Sequence, residues 1–349
     1  MQCLRLICLL VLFFTFSRAV AQFGHTEKLV LITLDGFRWQ ELFLGADPDF
    51  ATNLTDSAAI RPFLRESPDR AREVLLPFIW NTVAQNGQLY GNRLQGNKVN
   101  CRNNRLISYP GYSEMLVGFS SMRIFSNRKI LNPYVTVLEK LRHEHNADVA
   151  AFATWDAFSF ILHEDRSGIF VRAGDKHGLE GKIKAGSGPD SLTFQNAMAY
   201  LKAHRPDVLM IAFDGTDHYA HRGDYAGYLQ SAHAIDRWMN ALWEWLQAQP
   251  DYRGKTTLLI TTDHGRGFKP DTWAKHRLFI RGSRHVWLGV MGPDTPPLGE
   301  MSEKSRLYLD QTAGTLGAFL GYPYSNVRKV GSVVTSMFFS SAASASTRE

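Results

Sequence analysis

Short apolar runs alternate with segments of helical periodicity along most of the chain. The apolar runs are rich in Leu, Ile, Val and Ala, and they lie at residues 28–36, 147–154, 208–215, 256–265 and 285–293. The segments with helical spacing lie at residues 71–87, 133–145, 190–206, 224–249 and 307–321. This alternation predicts an α/β fold in which a mainly parallel central sheet is covered by helices on both faces, a three-layer α/β/α sandwich.

The pattern contains no internal repeat and no linker that would separate two blocks. We therefore expect a single domain over residues 22–330, followed by a C-terminal segment over 331–349. The last ten residues, "SSAASASTRE", are small and polar, and this composition predicts a disordered end.

The first 21 residues have the pattern of a cleaved signal peptide. A basic residue, Arg5, precedes an apolar run from Leu6 to Phe16, and small residues at Ala19 and Ala21 predict cleavage after Ala21. The apolar run is roughly 11 residues long, whereas a membrane span needs about 20. We expect an exported protein, periplasmic or secreted, with no stable membrane span after cleavage.

The amino-acid composition, the cysteine count and the net charge limit the functions that this chain could have. The chain has 349 residues, of which 44% are hydrophobic and 21% charged, so it can bury a sizeable core. Cleavage would remove Cys3 and Cys8 and leave Cys101, which predicts no internal disulfide and a packed thiol. The net charge is +6, without a run of cations interleaved with aromatics, so we expect no nucleic-acid partner.

Acidic residues terminate three of the apolar runs. Asp35 ends the first, Asp214 with Asp217 ends another, and Asp263 ends a third. In a doubly wound sheet the carboxyl ends of the strands form the binding edge, where gathered carboxylates need cations. Alone, each residue is also explained as a turn or a helix cap.

Histidines accompany two of these acids. In "TDHYAH", Asp217 and His221 are four residues apart and would share one face of a helical turn, and His264 directly follows Asp263. Mixed carboxylate and imidazole ligands are typical of a catalytic zinc site. We expect His218 to point away from the ion shared by its neighbours, and Asp214 to bond a loop.

A candidate nucleophile lies in "ISYPGYSEMLVGF", residues 107–119. Ser108 follows an apolar pair and precedes a turn at Pro110 and Gly111, after which a helical pattern begins. A serine at a helix start lies where backbone N–H groups face an anion, and a metal ion would activate its hydroxyl. The alternative interpretation is a capping serine.

In their order, the motifs "LITLDGFRW", "SYPGYSEMLVG", "TDHYAH" and "TTDHG" resemble the alkaline phosphatase superfamily, and in particular its nucleotide pyrophosphatase/phosphodiesterase-like branch. Ser108, Pro110, Gly111 and Gly118 keep the spacing of the family's nucleophile motif, whereas Tyr112 replaces its usual histidine.

The resemblance implies two divalent metal ions. Asp35, Asp263 and His264 would bind one ion together with Ser108. Asp217, His221 and a third histidine would bind the other. That third histidine is His276 or His285, and we favour His276 because it lies in a loop, whereas a parallel strand starting at His285 would begin at the far edge. Zinc is the expected metal, and manganese also suits the ligands.

The resemblance also implies an asparagine that holds a phosphate oxygen. Asn127, 19 residues past Ser108, is our choice, and Asn132 is the alternative. The expected activity is hydrolysis of small phosphate mono- or diesters through a phosphoserine on Ser108. A sulfatase, a phosphoglycerate-mutase-like or phosphonate-cleaving enzyme and a non-catalytic secreted binding protein are the alternatives. The sequence does not distinguish monoester from diester, and it does not predict the oligomeric state.

Overall fold

A computed structural model describes residues 25–50, 58–174 and 189–340. The predicted signal peptide and residues 341–349 lie outside them. The strands are β1 (Lys28–Leu34), β2 (Gly87–Tyr90), β3 (Asn97–Asn100), β4 (Val149–Ala153), β5 (Phe170–Ala173), β6 (Val208–Phe213), β7 (Thr256–Thr261), β8 (His285–Val286), β9 (Leu288–Met291), β10 (Gly299–Glu300) and β11 (Ser305–Tyr308). The α-helices are α1 (Trp39–Leu44), α2 (Pro68–Leu75), α3 (Ala84–Asn86), α4 (Ser108–Val117), α5 (Val137–Glu144), α6 (Phe158–Ile161), α7 (Glu164–Ser167), α8 (Pro189–His204), α9 (Gly215–His221), α10 (Tyr225–Ala248) and α11 (Gln311–Phe319).

The central sheet has eight strands in the order β10-β2-β9-β7-β1-β6-β4-β5. Strand β1 pairs in parallel with β6 on one side and with β7 on the other. Only β9, among the strands that the structure describes, runs against its neighbours in this sheet. The prediction of an α/β fold with a mainly parallel sheet is therefore confirmed.

Both faces of the sheet are covered by helices. Along β1, Leu29 and Leu31 point into a core shared with α4, α5 and α11, whereas Val30 and Ile32 point into a second core shared with α1, α8 and α10. Alternate residues of one strand thus serve two cores, which explains the continuous apolar runs in the sequence. The result is the predicted three-layer α/β/α sandwich.

The strand predicted over residues 285–293 differs from expectation. It divides at Trp287 into β8, which joins a small sheet of order β11-β3-β8, and β9, which is antiparallel to β7. The start of β9 therefore lies at the same edge as the carboxyl end of β7. The reason given above for excluding His285, that it begins a parallel strand at the far edge, is wrong.

The helix predicted over residues 71–87 is broken. Helix α2 ends at Leu75, and a π-helical segment, Ile79–Val83, leads into α3. Pro77 explains the break, since proline disfavours helical backbone in the residue before it. The buried carboxylate of Asp236 in α10 accepts hydrogen bonds from the backbone N–H groups of Phe78 (2.8 Å) and Ile79 (3.0 Å), and so holds the restarted helix.

The end of the described chain also packs on the fold. Residues 307–310 are not helical, because β11 occupies Ser305–Tyr308 and α11 begins at Gln311. Met337 and Phe338 are buried, and the ring of Phe338 lies 4.3 Å from that of Phe319. In the tryptophan-rich helix α10, Trp238 stacks on Phe194 and contacts Phe213, which is a packing role. No helix in the described ranges has the length and apolarity to cross a bilayer.

Candidate active site

Three acidic side chains follow three neighbouring strands of the large sheet. Asp35 follows β1, Asp217 lies in α9 after β6, and Asp263 comes two residues after β7. Because β1 lies between β6 and β7 in parallel register, these strand ends meet at one edge. Within each of two groups, the potential ligand atoms lie within 4.8 Å of one another. The groups are Asp35, Asp263 and His264, and Asp217, His221 and His276.

The first group is buried. Nε2 of His264 lies 3.5 Å from Oδ1 of Asp35 and 3.5 Å from Oδ2 of Asp263. The backbone N–H of Gly36 donates to Oδ1 of Asp263 at 3.0 Å. Gly36 has a φ of +59°, and a Cβ there would lie 2.8 Å from Nε of Arg266, so the turn after β1 requires glycine.

The electrostatics of this group suit a bound cation. Burial raises the pKa of Asp35 well above its usual range, and the charge of Asp263 raises it further. Burial also raises the pKa of Asp263, whose Oδ2 is buried without a hydrogen-bond partner in the described structure. Two buried carboxylates with an unpaired oxygen are unfavourable without a compensating charge. The donor set therefore fits a divalent ion.

Ser108 begins helix α4 beside this group. Its Oγ lies 3.4 Å from Oδ1 of Asp35 and 3.5 Å from Nε2 of His264. Gly111 permits this approach, because a Cβ there would lie 2.4 Å from the carbonyl oxygen of Asp263. The first turn of α4 thus lies directly against the end of β7, and one ion could contact the serine and both acids.

The second group lies next to the first. Nε2 of His221 lies 3.0 Å from Oδ2 of Asp217 and 3.1 Å from Nε2 of His276. Asp217 and His221 share one face of α9, as the spacing predicted. Oδ1 of Asp217 is 3.9 Å from Nε2 of His264, so this carboxylate connects the two groups.

Hydrogen bonds to carbonyl groups orient two of the imidazoles. Nδ1 of His276 donates to the carbonyl oxygen of Leu106 at 2.9 Å, and Nδ1 of His264 donates to that of Gly265 at 3.0 Å. A carbonyl only accepts, so Nδ1 carries the proton and Nε2 presents a lone pair to the site. Burial lowers the pKa of both rings, which favours the neutral, ligating form.

Leu106 has an unusual backbone conformation. Its φ is +53°, in the left-handed region that non-glycine residues seldom adopt. The backbone N–H of Leu106 donates to Oδ1 of Asn103 at 2.8 Å, and the carbonyl oxygen of Leu106 accepts from His276. This residue therefore connects the segment before Ser108 to the loop of His276. Such backbone strain is common at functional sites.

Arg266 is a site residue that the sequence analysis missed. Its guanidinium is fully buried and donates to Oδ1 of Asp217, to the carbonyl of Gly36 at 3.1 Å and to that of Ala274 at 2.7 Å. It thereby connects the turn after β1, helix α9 and the loop of His276. Burial lowers its pKa to about 9. A lone charge between two glycines in "HGRG" was the signal that could have identified it.

The two candidate asparagines have different environments. Oδ1 of Asn127 accepts from the backbone N–H of Tyr109, next to Ser108, at 3.0 Å, and the residue is exposed. Asn132 is fully buried. It donates to the carbonyl of Ile161 at 3.1 Å and accepts from the N–H of Tyr134 at 3.0 Å. The structure brings Asn127 to the nucleophile, whereas the side chain of Asn132 is occupied in a turn.

The two candidate histidines also separate clearly. His276 belongs to the second group, whereas His285 pairs with Asn100 in the small sheet. Burial, together with the nearby charges of Arg93 and Arg284, lowers the pKa of His285 to about 4. A histidine among cations is poorly placed to bind a metal cation, so the choice of His276 agrees with the geometry for a reason other than strand direction.

Other polar residues near the site have separate surroundings. Burial raises the pKa of Asp214 to about 6, with a further contribution from Asp190, whose carboxylate accepts from the N–H of Asp214 at 3.0 Å. His218 is exposed and belongs to neither group. Cys101 is buried and donates to the carbonyl of Asp263 at 3.3 Å, and burial raises its thiol pKa, as expected for a packed thiol.

Solved structures with the same fold include several hydrolases. A mutant of the alkaline phosphatase PafA superposes with a TM-score of 0.54 at 11% identity, covering 90% of this chain and 99% of that one. The phosphonate monoester hydrolase of Agrobacterium radiobacter gives 0.57 at 12%, covering 89% and 77%. A 2-O GAG sulfatase gives 0.56 at 14%, covering 89% and 73%. At such identities the likeness concerns the fold.

A comparison with curated proteins found no match. Residues 77–279, more than half of the chain, match the family described as type I phosphodiesterase / nucleotide pyrophosphatase. The match includes Ser108, the two candidate ligands of α9 (Asp217 and His221), and the segment from Asp263 to His276. The chain belongs to this phosphodiesterase/pyrophosphatase family, and thereby to the alkaline phosphatase superfamily of phosphoryl- and sulfuryl-ester hydrolases.

Proposed function

We propose that the protein is an exported, metal-dependent phosphohydrolase that cleaves phosphate mono- or diesters with Ser108 as its nucleophile. The observation that carries this proposal is the position of the Ser108 Oγ, 3.4 Å from Oδ1 of Asp35 and 3.5 Å from Nε2 of His264, in the group that also contains the unpaired Oδ2 of Asp263. A hydroxyl that contacts both an acid and a histidine of the first group is placed where a bound ion could activate it as a nucleophile.

Two divalent ions fit the donor set. Asp35, Asp263, His264 and Ser108 would hold one, and Asp217, His221 and His276 would hold the other. Bound ions would lower the pKa of the serine hydroxyl and offset negative charge on the phosphoryl oxygens. Zinc is the metal that we propose, because the ligands combine imidazole with carboxylate, and manganese also suits them.

The reaction has two displacements. The Ser108 hydroxyl loses its proton and Oγ forms a bond to phosphorus, while the bond from phosphorus to the leaving oxygen breaks and that oxygen takes up a proton. Asn127, held beside the nucleophile through the N–H of Tyr109, donates its amide hydrogens to a phosphoryl oxygen. Water then forms a bond to phosphorus while the bond between phosphorus and Oγ breaks, which restores the serine hydroxyl and releases phosphate from a monoester or a phosphate monoester from a diester. The leaving oxygen faces the group formed by Asp217, His221 and His276.

The residue at position 112 favours phosphoryl transfer over sulfuryl transfer as the reaction. Sulfatases need a Cys or Ser in a C/S-x-P-x-R context for conversion to formylglycine. Here Tyr112 occupies the position of that arginine. Its ring lies 4.6 Å from that of Phe158, and the side chain is fully buried. The position therefore provides packing and no cation for a sulfatase-type site.

A rate comparison tests this function. p-Nitrophenyl phosphate, bis-p-nitrophenyl phosphate and p-nitrophenyl sulfate are supplied with zinc and with manganese, and the bound metal is quantified. We expect one of the two phosphate esters to react fastest, with stoichiometric metal. Faster sulfate hydrolysis would indicate a sulfatase, and a chain without stoichiometric metal or turnover would indicate a binding protein.

We also propose export and a single catalytic domain over residues 22–330. Export rests on the leader pattern of residues 1–21, and the domain assignment rests on the absence of a linker-like stretch in the sequence. Expression in an exporting host followed by determination of the N terminus tests cleavage after Ala21. Resistance of the remaining chain to limited proteolysis tests the domain assignment.

A further inference from the structure

Two loops lie on either side of the nucleophile. One, residues 120–131, carries Asn127, which accepts from the N–H of Tyr109 at 3.0 Å. The other, residues 265–285, carries His276, which donates to the carbonyl of Leu106 at 2.9 Å. Ser108 lies between these two contacts. Both loops therefore border the segment that carries Ser108, one through Leu106 before it and one through Tyr109 after it, and we call the two loops together the rim.

The rim exposes many large apolar side chains. Seven of the twelve large hydrophobic residues that are exposed in the described structure lie in these two loops: Met122, Phe125, Ile130, Leu131, Phe268, Leu278 and Phe279. Phe279 is 92% exposed and Met122 is 73% exposed. Single exposed apolar residues are ordinary, but a concentration of them around one site indicates an interaction surface for a protein or a membrane.

Cations are interspersed among these apolar side chains. Residues 120–131 contain Arg123, Arg128 and Lys129 and no acid, and residues 265–285 contain one acid, Asp271. The exposed cations of the second loop are Lys269, Lys275, Arg277 and Arg281. Lys129 pairs with Asp156, and the guanidinium groups of Arg105 and Arg281 lie 5.8 Å from the rings of Phe125 and Phe268.

The combination of apolar side chains and cations indicates which kind of partner would cover the rim. A second copy of the chain would present the same cations, so two rims would repel each other. Exposed phenylalanine and leucine next to lysine and arginine is the composition of proteins that lie on anionic lipid. Apolar side chains enter the acyl boundary, and the cations contact the lipid phosphates.

We propose that the rim docks the protein on an anionic lipid surface, with the entrance to the Ser108 site facing the bilayer. Phe279 and Leu278 on one side and Phe125 and Met122 on the other would insert below the headgroups. Arg123 and Arg281 would contact lipid phosphates. The proposal does not depend on the hydrolytic reaction, because docking is measured without turnover.

Vesicle co-sedimentation of the full chain tests the proposal. We expect binding to vesicles of phosphatidylcholine mixed with phosphatidylglycerol, weak binding to phosphatidylcholine alone, and a decrease as salt rises. Replacing both Leu278 and Phe279 by Ser should weaken binding at least about tenfold, because two apolar side chains no longer leave water. The double change Arg123→Ser with Arg281→Ser should reduce the preference for phosphatidylglycerol, because two of the exposed cations of the rim are lost.

Leu298→Ser is the matched control. Leu298 is 58% exposed but directly precedes β10, at the opposite edge of the sheet from the site, so its replacement should leave binding unchanged. All variants share the same N-terminal residues, so a difference among them reports on the rim alone. Their thermal unfolding should match that of the parent chain, since the replaced side chains are exposed.

Three results would overturn the proposal. One is equal binding to both kinds of vesicle, and another is binding that the change at Leu278 and Phe279 leaves intact. The third is a concentration-dependent dimer in gel filtration that the same change abolishes, which would assign the rim to self-association. None of these results depends on whether the chain hydrolyses a phosphate ester.

Discussion

The ring of His264 lies flat against the ring of His276, with 3.9 Å between their centroids and 10° between their planes. The two residues belong to different ligand groups, so the stacked imidazoles are a direct contact between the two groups. Each ring donates from Nδ1 to a carbonyl and presents Nε2 to its own group. A change in the position of one ring would therefore displace the other.

Metal removal should abolish activity and destabilise the fold. The acids of the two groups are buried or nearly so, and bound ions would compensate their charge. Chelation should lower the melting temperature, and zinc should restore it; an ion at 100 times its dissociation constant stabilises by about 2.7 kcal/mol. Differential scanning calorimetry with chelator and with zinc measures this. An unchanged melting temperature would contradict the assignment of the ligand groups.

Ser108→Ala should remove the nucleophile and leave the metal ligands in place. Loss of an enzymatic nucleophile lowers turnover by at least about a thousandfold, and we expect a similar loss here. Metal content, measured by plasma mass spectrometry, should stay at the parent value. Ser113→Ala is the control, because Ser113 is buried in the same helix and contacts Asn132 rather than Asp35. Activity that survives Ser108→Ala would reject the assignment.

The two asparagines should respond differently to substitution. Asn127→Ala removes an amide beside the nucleophile and the acceptor of the Tyr109 N–H, so we expect turnover to fall about a hundredfold while the unfolding free energy falls by less than about 1 kcal/mol. Asn132→Ala leaves buried partners unpaired, including the carbonyl of Ile161, and should cost about 1–3 kcal/mol of unfolding free energy. Steady-state kinetics and chemical denaturation of both variants distinguish these roles. A reversed pattern would exchange the assignments.

Arg266→Met should affect the metal-free protein most. The change leaves the Asp217 carboxylate without its buried cation and releases the carbonyl of Ala274, and loss of one partner of a buried pair costs about 3–5 kcal/mol. A bound metal ion would compensate Asp217, so the stability gained on adding zinc should be larger than in the parent chain.

Arg266→Lys is the control for Arg266→Met. It keeps the positive charge but cannot reach all three acceptors, so its metal-free stability should lie between those of the parent and the Met variant. Thermal unfolding with chelator and with zinc provides the comparison. Equal zinc-dependent shifts in all three proteins would show that Arg266 does not neutralise the ligand group.

Asp236 should make stability depend on pH. Burial raises its pKa from 3.8 to about 7, so the folded state holds a proton that the unfolded state releases. Its contribution is complete below about pH 4 and is lost as the pH rises through about 7. Asp236→Asn cannot titrate, and it leaves one of two backbone N–H groups without a carboxylate oxygen.

We therefore expect Asp236→Asn to be less stable than the parent by about 1–3 kcal/mol near pH 4, with a deficit that narrows toward pH 7. Urea denaturation of both proteins at several pH values within this range provides the measurement. Parallel stability curves would mean that Asp236 keeps an ordinary pKa in the folded protein.

Strand periodicity and strand-end chemistry carried most of the prediction from sequence. Each acid at the end of an apolar run was predictable, because parallel strands bring their carboxyl ends to one edge. The antiparallel direction of β9 was not, since a four-residue apolar strand has the same pattern in either direction. The same limit explains why the argument against His285 failed while the preference for His276 agrees with the geometry.

Long-range contacts explain the other misses. The interrupted helix around Pro77 depends on Asp236, which lies about 160 residues away in sequence, and local periodicity does not contain that contact. Arg266 acts through Gly36, Asp217 and Ala274, which come together only in the folded chain. A buried arginine and a surface arginine have the same letter, so the sequence could not distinguish them.

The backbone of Leu106, with its positive φ, couples the position of the Ser108 hydroxyl to that of the His276 imidazole. Its carbonyl fixes the protonated nitrogen of His276, and its position two residues before Ser108 sets where α4 begins. The Leu106 side chain is buried in the core. Catalytic geometry in this protein therefore depends on a main-chain torsion that a survey of reactive side chains would overlook.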